Sequence, residues 1–144
     1  MAELNSLDIY IDSKQKILED NIFKELTQLK TLRIYFHHRS TYIKSIAFDG
    51  LEKLEELSIV GYHKTMRSDM LKGLVNLKKL MIAHCLRQDF NMLRNNSLVH
   101  LQSSLREIDL SHVTIQIMDI RFSNEIEQLE KLTLSYNELK IIYT

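Results

Sequence analysis

Residues 77–82 read LKKLMI, and the same arrangement stands at 4–9 (LNSLDI), 29–34 (LKTLRI), 54–59 (LEELSI), 105–110 (LREIDL) and 129–134 (LEKLTL). Each copy is apolar at its first, fourth and sixth places. The first residues are Leu4, Leu29, Leu54, Leu77, Leu105 and Leu129, and the intervals between them are nearly constant, the longest running from Leu77 to Leu105. Self-similarity at a nearly fixed period of this size is the signature of a solenoid. Each repeat there is one supersecondary unit that buries its apolar face only against its neighbours. One such hexapeptide means nothing; six that agree at three columns specify an architecture.

Working outward from the hexapeptide, its fourth and sixth places alternate around one polar or small residue, as a strand with one buried face requires. Leu32, Leu57, Leu80, Ile108 and Leu132 then form one predicted buried ladder. Ile34, Ile59, Ile82, Leu110 and Leu134 form a second. Upstream of most copies stands another signal, as Phe23-x-x-Leu26, Phe48-x-x-Leu51 and Leu71-x-x-Leu74. Leu98-x-x-Leu101 and Phe122-x-x-x-Ile126 are looser versions, each offset by one residue. Phe23, Phe48 and Phe122 are expected to line the turns behind the strands. Ile43-x-x-Ile46-x-Phe48 and Ile117-x-x-Ile120-x-Phe122 extend the pattern further upstream.

With these columns the chain resembles the leucine-rich-repeat proteins from Leu4 to Leu139. The repeat length resembles that of the extracellular type found in Toll-like receptor ectodomains and related cell-surface proteins. So do segments such as IKSIAFDGLEKLEEL (43–57) and SLREIDLSHVTIQIMDIRF (104–122). The resemblance implies an α/β-type repeat solenoid: a horseshoe arc with about six short parallel strands on the concave face, and loops or short helical turns on the convex face. It also implies Asn, or sometimes Cys, eight residues after the first leucine, where the side chain satisfies the buried loop backbone. That column reads Asp12, His37, Tyr62, Cys85, Val113 and Asn137. Asn137 and Cys85 fit, and Asp12 is able to serve. His37, Tyr62 and Val113 depart, so the backbone after those strands needs other partners, because an unpaired buried amide costs roughly 1–3 kcal/mol.

The 144 residues suit one domain, residues 1–144, and 44% hydrophobic content is enough for a core. No proline and three glycines argue against a linker or an internal boundary. Lys plus Arg and Asp plus Glu both number 19, so the chain lacks the basic excess of many nucleic-acid binders. One cysteine allows no internal disulfide. The opening MAELNSLDIYID has neither the basic start nor the apolar run of a signal peptide. No stretch has the ~18 uninterrupted apolar residues of a spanning helix. Cysteine caps are missing and both ends fall inside repeats, which favours a fragment of a longer ectodomain. An intracellular protein with its ends covered is the alternative. Asn95-Asn96-Ser97 is an N-glycosylation sequon in the longest repeat, which leans to the extracellular reading.

Function is expected in the places between the leucines. The third column runs Ser6, Thr31, Glu56, Lys79, Glu107, Lys131, whose last four members alternate in sign and suit a solvated charge ladder. The fifth runs Asp8, Arg33, Ser58, Met81, Asp109, Thr133, and the seventh Tyr10, Tyr35, Val60, Ala83, Ser111, Ser135. The eighth runs Ile11, Phe36, Gly61, His84, His112, Tyr136. Tyr10, Arg33, Tyr35 and Phe36 are the candidate partner-binding residues, since an exposed aromatic cluster rimmed by charge marks interaction sites. The competing reading turns Ile11 and Phe36 inward. The partner expected is a protein ligand or co-receptor, with homo- or hetero-dimerisation through a longer parent.

No catalytic constellation is expected. His84 and Cys85 are sequential and point to opposite faces of a strand. His84 and His112 share a column and are able to approach, but two ligands do not close a metal site. Asp109, Ser111 and His112 are close in sequence without the geometry of a triad. Cofactor motifs such as a glycine-rich phosphate loop are absent. Cys85 is expected to be a buried small residue.

Overall fold

The computed structural model describes residues 3–12, 14, 17–63, 68–85, 98–101, 103–119 and 126–143. Nine strands are present among them: β1 (Ser6–Ile11), β2 (Ile17–Leu18), β3 (Thr31–Ile43), β4 (Glu56–His63), β5 (Lys79–Ala83), β6 (Glu107–Asp109), β7 (Ile117–Asp119), β8 (Lys131–Thr133) and β9 (Ile141–Tyr143). The main sheet runs β1-β3-β4-β5-β6-β8, with every pair parallel. β2 joins the far end of β3, and β7 pairs with β9 on the return side. Helix among the described residues is confined to two 3-10 turns, Ser68–Leu71 and Val99–Leu101. The observed class is therefore a parallel-strand β-solenoid, with turns and short strands where an α/β repeat would carry helices.

Strand register follows the repeat spacing. Ser6 pairs with Thr31, Thr31 with Glu56, Glu56 with Lys79, Lys79 with Glu107 and Glu107 with Lys131, which is the third column of the sequence alignment. The variable spacing is absorbed in the returns, so the sheet stays in step even across the longest repeat. A one-residue slip would turn every buried leucine outward, which is why register is held so tightly. Each junction between repeats opens with the same bond pair. Two successive amides donate to one carbonyl of the preceding repeat: Lys30 and Thr31 to Asn5, Glu55 and Glu56 to Lys30, Lys78 and Lys79 to Glu55, Arg106 and Glu107 to Lys78, Glu130 and Lys131 to Arg106.

The upstream apolar residues explain why the described returns turn tightly and form no α-helix. Leu26 donates to the Phe23 carbonyl and Leu29 to Leu26; Leu51 donates to Phe48 and Leu54 to Leu51; Leu74 donates to Leu71 and Leu77 to Leu74. These i→i+3 bonds place residues three apart on one side of the turn. The spacing of three therefore aims each apolar side chain at the core. Where the sequence spacing lengthens to four, between Leu101 and Leu105, the bond becomes i→i+4.

Leu32, Leu57, Leu80 and Ile108 are buried, as are Ile34, Ile59, Ile82 and Leu110. Leu132 and Leu134 are only partly buried, because no described strand covers them beyond β8. Each fully buried aliphatic side chain contributes roughly 1.5–3 kcal/mol. Phe23 and Phe48 stack behind the sheet with ring centroids 6.2 Å apart; Phe122 lies outside the described residues.

Strand length varies for a local reason. β3 continues for 13 residues, with a register shift against β4 between Phe36 and Thr41, whereas β5, β6 and β8 span 5, 3 and 3 residues. In these later repeats the eighth column turns left-handed: His84, His112 and Tyr136 have φ of 60°, 58° and 58°. That turn ends the extended run and swings the chain into its return.

Asn137 supplies the loop support expected of its column. Its Oδ1 accepts from the Val113 and Ile115 amides at 3.1 Å each, and its Nδ2 donates to the Leu110 and Leu134 carbonyls at 2.7 and 2.9 Å. Three of these partners belong to the preceding repeat, whose own column holds Val113. Asn137 thus supports the repeat that lacks the amide as well as its own. Asn137→Ala is expected to lower stability by about 2 kcal/mol, because Val113 and Ile115 are buried and their amides lose a partner. An unchanged denaturant midpoint with unchanged slope would show that water replaces the side chain.

Candidate functional site

Period-two alternation assigns the faces of the sheet. From Leu32, the side chains of Leu32, Ile34 and Phe36 point inward, and those of Thr31, Arg33 and Tyr35 point to the open face. This corrects the candidate set at one position: Phe36 is only 4% exposed and belongs to the core, as does Ile11. β1 and β3 stay extended through the eighth column, so the alternation that buries the sixth column buries the eighth too. Phe36 therefore offers no surface to a partner.

The other three candidates come together. Tyr10 and Tyr35 stack across β1 and β3 with centroids 4.8 Å apart and planes at 12°, and Tyr10 is 67% exposed. Strands ~4.8 Å apart hold paired rings at stacking distance without further adjustment. Beneath them, Arg33 Nη1 donates to Asp8 Oδ1 at 3.2 Å, and its Nη2 lies 4.0 Å from Glu56 Oε2. Asp8 and Glu56 on either side thus hold the guanidinium beside the rings. Asn95, the glycosylation candidate, lies outside the described residues.

A trough of about 420 Å³ continues from this cluster across the open face to β8, lined by Arg33, Tyr35, Val60, Met81, Asp109 and Lys131 among others. Met81 is the exposed apolar point near its middle, and the Ser58 hydroxyl donates to its sulfur at 3.5 Å. Of the third-column ladder one lateral pair forms, and two further pairs join residues that stand one place before the strands. Lys79 meets Glu107 at 3.7 Å, Lys78 meets Glu55 at 2.8 Å and Arg106 meets Glu130 at 2.9 Å. Exposed pairs of this kind contribute about 0–1 kcal/mol each, so they order the surface more than they stabilise it. The hydrogen bond and charge of Lys78 hold the Glu55 carboxyl below the usual carboxylate range.

A second aromatic stack lies at the other end of the molecule. His84 and His112 are stacked with centroids 4.7 Å apart, and His112 and Tyr136 with centroids 4.3 Å apart. The shared column predicts the histidine pair. Tyr136 joins because all three residues adopt the same left-handed conformation, which turns the eighth column from the core to the surface. Their shared column was the available signal; the backbone state was not. Cys85, one residue further, is buried. Asp109 Oδ1 accepts from the Ser111 amide at 3.0 Å and from its hydroxyl at 2.6 Å. Of the three residues considered for a triad, Asp109 and Ser111 form a local Asx-turn, and the His112 ring is committed to its stack.

No protein-family model matches the chain, and no curated protein matches it either. No helix among the described residues is long and apolar enough to cross a membrane.

Proposed function

We propose that this chain is a non-catalytic protein-binding module of the leucine-rich-repeat type, whose open sheet face holds a protein ligand or co-receptor. The observation that carries the proposal is the exposed Tyr10–Tyr35 stack beside Arg33, opening onto the trough across the sheet. Rigid aromatic rings with an arginine among them are the composition of binding hot spots. The sheet holds their backbone in place, β3 between two strands and β1 against β3, which lowers the ordering cost of binding. Membership of a cell-surface receptor of Toll-like, innate-immune character is the fuller form of this reading. The repeat length supports it, and on that reading the module lies on the extracellular face of the plasma membrane. A second reading, an intracellular adaptor or scaffold, is favoured by the single buried cysteine, since a chain with one thiol has no need of an oxidising compartment.

The test is selection of peptide ligands on the folded protein from a displayed random library, followed by affinity measurement against single variants. Tyr10→Ala, Arg33→Ala and Tyr35→Ala are each expected to weaken binding by about 2 kcal/mol, roughly thirtyfold. Phe36→Leu is the comparison from the buried side and is expected to leave affinity unchanged. Ligands whose affinity none of the three exposed substitutions alters, in variants that melt normally, would place binding elsewhere.

A further inference from the structure

Among the described side chains, one thioether stands on the open face. Of the six methionines, Met70, Met81 and Met118 are among the described residues. Met70 and Met118 belong to the core, at 5% and 9% exposure, whereas Met81 on β5 is 39% exposed. The difference is one of face. Leu80 and Ile82 point into the stack, so Met81 between them points to the open side.

Register fixes its neighbours: Ser58 on β4 and Asp109 on β6 both pair with Met81. A strand spacing of ~4.8 Å keeps both beside the thioether. The Ser58 hydroxyl donates to the Met81 sulfur at 3.5 Å. A thioether sulfur carries two lone pairs, and this hydrogen bond engages one of them. Asp109, on the other side, brings a carboxylate that accepts from the Ser111 amide and hydroxyl and has no proton to donate. Among the described residues nothing engages the second lone pair of Met81, and the side chain is open to solvent.

We propose that Met81 is a site of reversible sulfoxidation by hydroperoxides, which makes the open face sensitive to oxidants. The second lone pair attacks the terminal oxygen of the hydroperoxide. The S–O bond forms as the O–O bond breaks, and the proton on the transferred oxygen passes to the leaving oxygen, which departs as water or an alcohol. Sulfur loses two electrons and the peroxide gains them. The product is a sulfoxide, polar and chiral at sulfur. Ser58 covers one lone pair, so oxygen is delivered to the other and one epimer dominates. Methionine sulfoxide reductases, each specific for one epimer, reverse the step with two thiols, which leave as a disulfide and water.

The consequence for binding rests on the reading that the open face holds a protein ligand. Met81 is the exposed apolar point of the trough, and a sulfoxide there puts a polar oxygen where a partner would make apolar contact. That oxygen must be desolvated on binding, which opposes association. The core is untouched, because the side chain points away from it.

Hydrogen peroxide added to the intact folded protein, followed by proteolysis and mass spectrometry, tests the site without any ligand. Met81 is expected to gain one oxygen about tenfold or more faster than Met70 and Met118. One epimer-specific reductase is expected to remove most of that oxygen and the other little. In Ser58→Ala the two enzymes are expected to remove near-equal shares. Circular dichroism is expected to show the wild-type melt after oxidation. Met81 oxidised no faster than the buried methionines would overturn the site, and equal epimers in the wild type would overturn the part given to Ser58. Peptides selected on the reduced protein are expected to bind the oxidised protein about tenfold more weakly. Met81→Leu is expected to show one affinity before and after peroxide, and a variant as sensitive as wild type would overturn the control of the face. Unchanged affinity for peptides that Tyr10→Ala weakens would overturn that control and leave the binding reading standing. Failure to select any peptide, with Met81 oxidised as described, would remove the binding reading and the control with it and leave the modification site.

Discussion

Leu80→Asp is expected to abolish the cooperative unfolding transition of the stack. Leu80 is buried in β5, between Leu57 of β4 and Ile108 of β6 in the same ladder. Truncating a buried leucine costs about 2–5 kcal/mol before any charge is considered. The aspartate carboxylate adds a desolvation penalty of several kcal/mol, with no described cation inside the core to offset it. A domain of this size has about 5–15 kcal/mol of stability in total, so one substitution removes most of it. Position makes the loss worse. In a solenoid each repeat is stabilised by its neighbours, and losing a central repeat separates the flanking ones from each other. Thermal unfolding followed by circular dichroism checks the outcome. Lys79→Ala, one residue away on the open face, is expected to change stability by no more than about 0.5 kcal/mol. A Leu80→Asp protein with a cooperative melt near the wild-type temperature would mean that the inward face has been assigned wrongly.

That assignment was legible in the sequence because a buried leucine every second place leaves only one register for parallel pairing. Leu32, Leu57, Leu80 and Ile108 fall in one row of the sheet as their spacing requires. The returns were half legible. Phe23-x-x-Leu26-x-x-Leu29 states an i→i+3 turn to anyone who reads three as a turn rather than as part of a helix, and no α-helix forms in the described returns. The eighth column was not legible. Phe36 and His84 occupy the same place in their repeats, yet Phe36 enters the core and His84 stacks at the surface. What separates them is whether the backbone stays extended or turns left-handed, a difference of one residue's φ. Histidine and tyrosine in the left-handed region carry no strong local signature, so composition does not announce the choice. The open face is consequently divided. Its aromatic surface lies in the seventh column at Tyr10 and Tyr35 and in the eighth at His84, His112 and Tyr136, and the change of column takes place at β4.

Gly61 sits at that change, and Gly61→Ala is expected to destabilise the protein by about 3 kcal/mol or more. Its φ is 102°, well beyond the 60°, 58° and 58° of His84, His112 and Tyr136 that follow it in the column. The left-handed well open to L-residues is small, and those three residues sit inside it. Gly61 lies outside, in a region that glycine alone enters freely. The reason is the preceding repeat. Phe36 is still extended where Gly61 pairs with it, and a Cβ on Gly61 would lie 2.1 Å from the Phe36 carbonyl oxygen and 3.0 Å from its carbonyl carbon. Those are backbone atoms of a residue whose ring is buried, so neither side yields without moving the strand. Gly73 is the comparison: among the described residues a Cβ there meets the Asp49 carboxylate alone, at 3.6 Å, and Gly73→Ala is expected to shift stability by no more than about 1 kcal/mol. Chemical denaturation of the two variants against wild type measures the difference directly. Equal midpoints would mean that β3 and β4 separate at Phe36 at little cost. A large difference localises the pivot between the two halves of the face to one residue without a side chain.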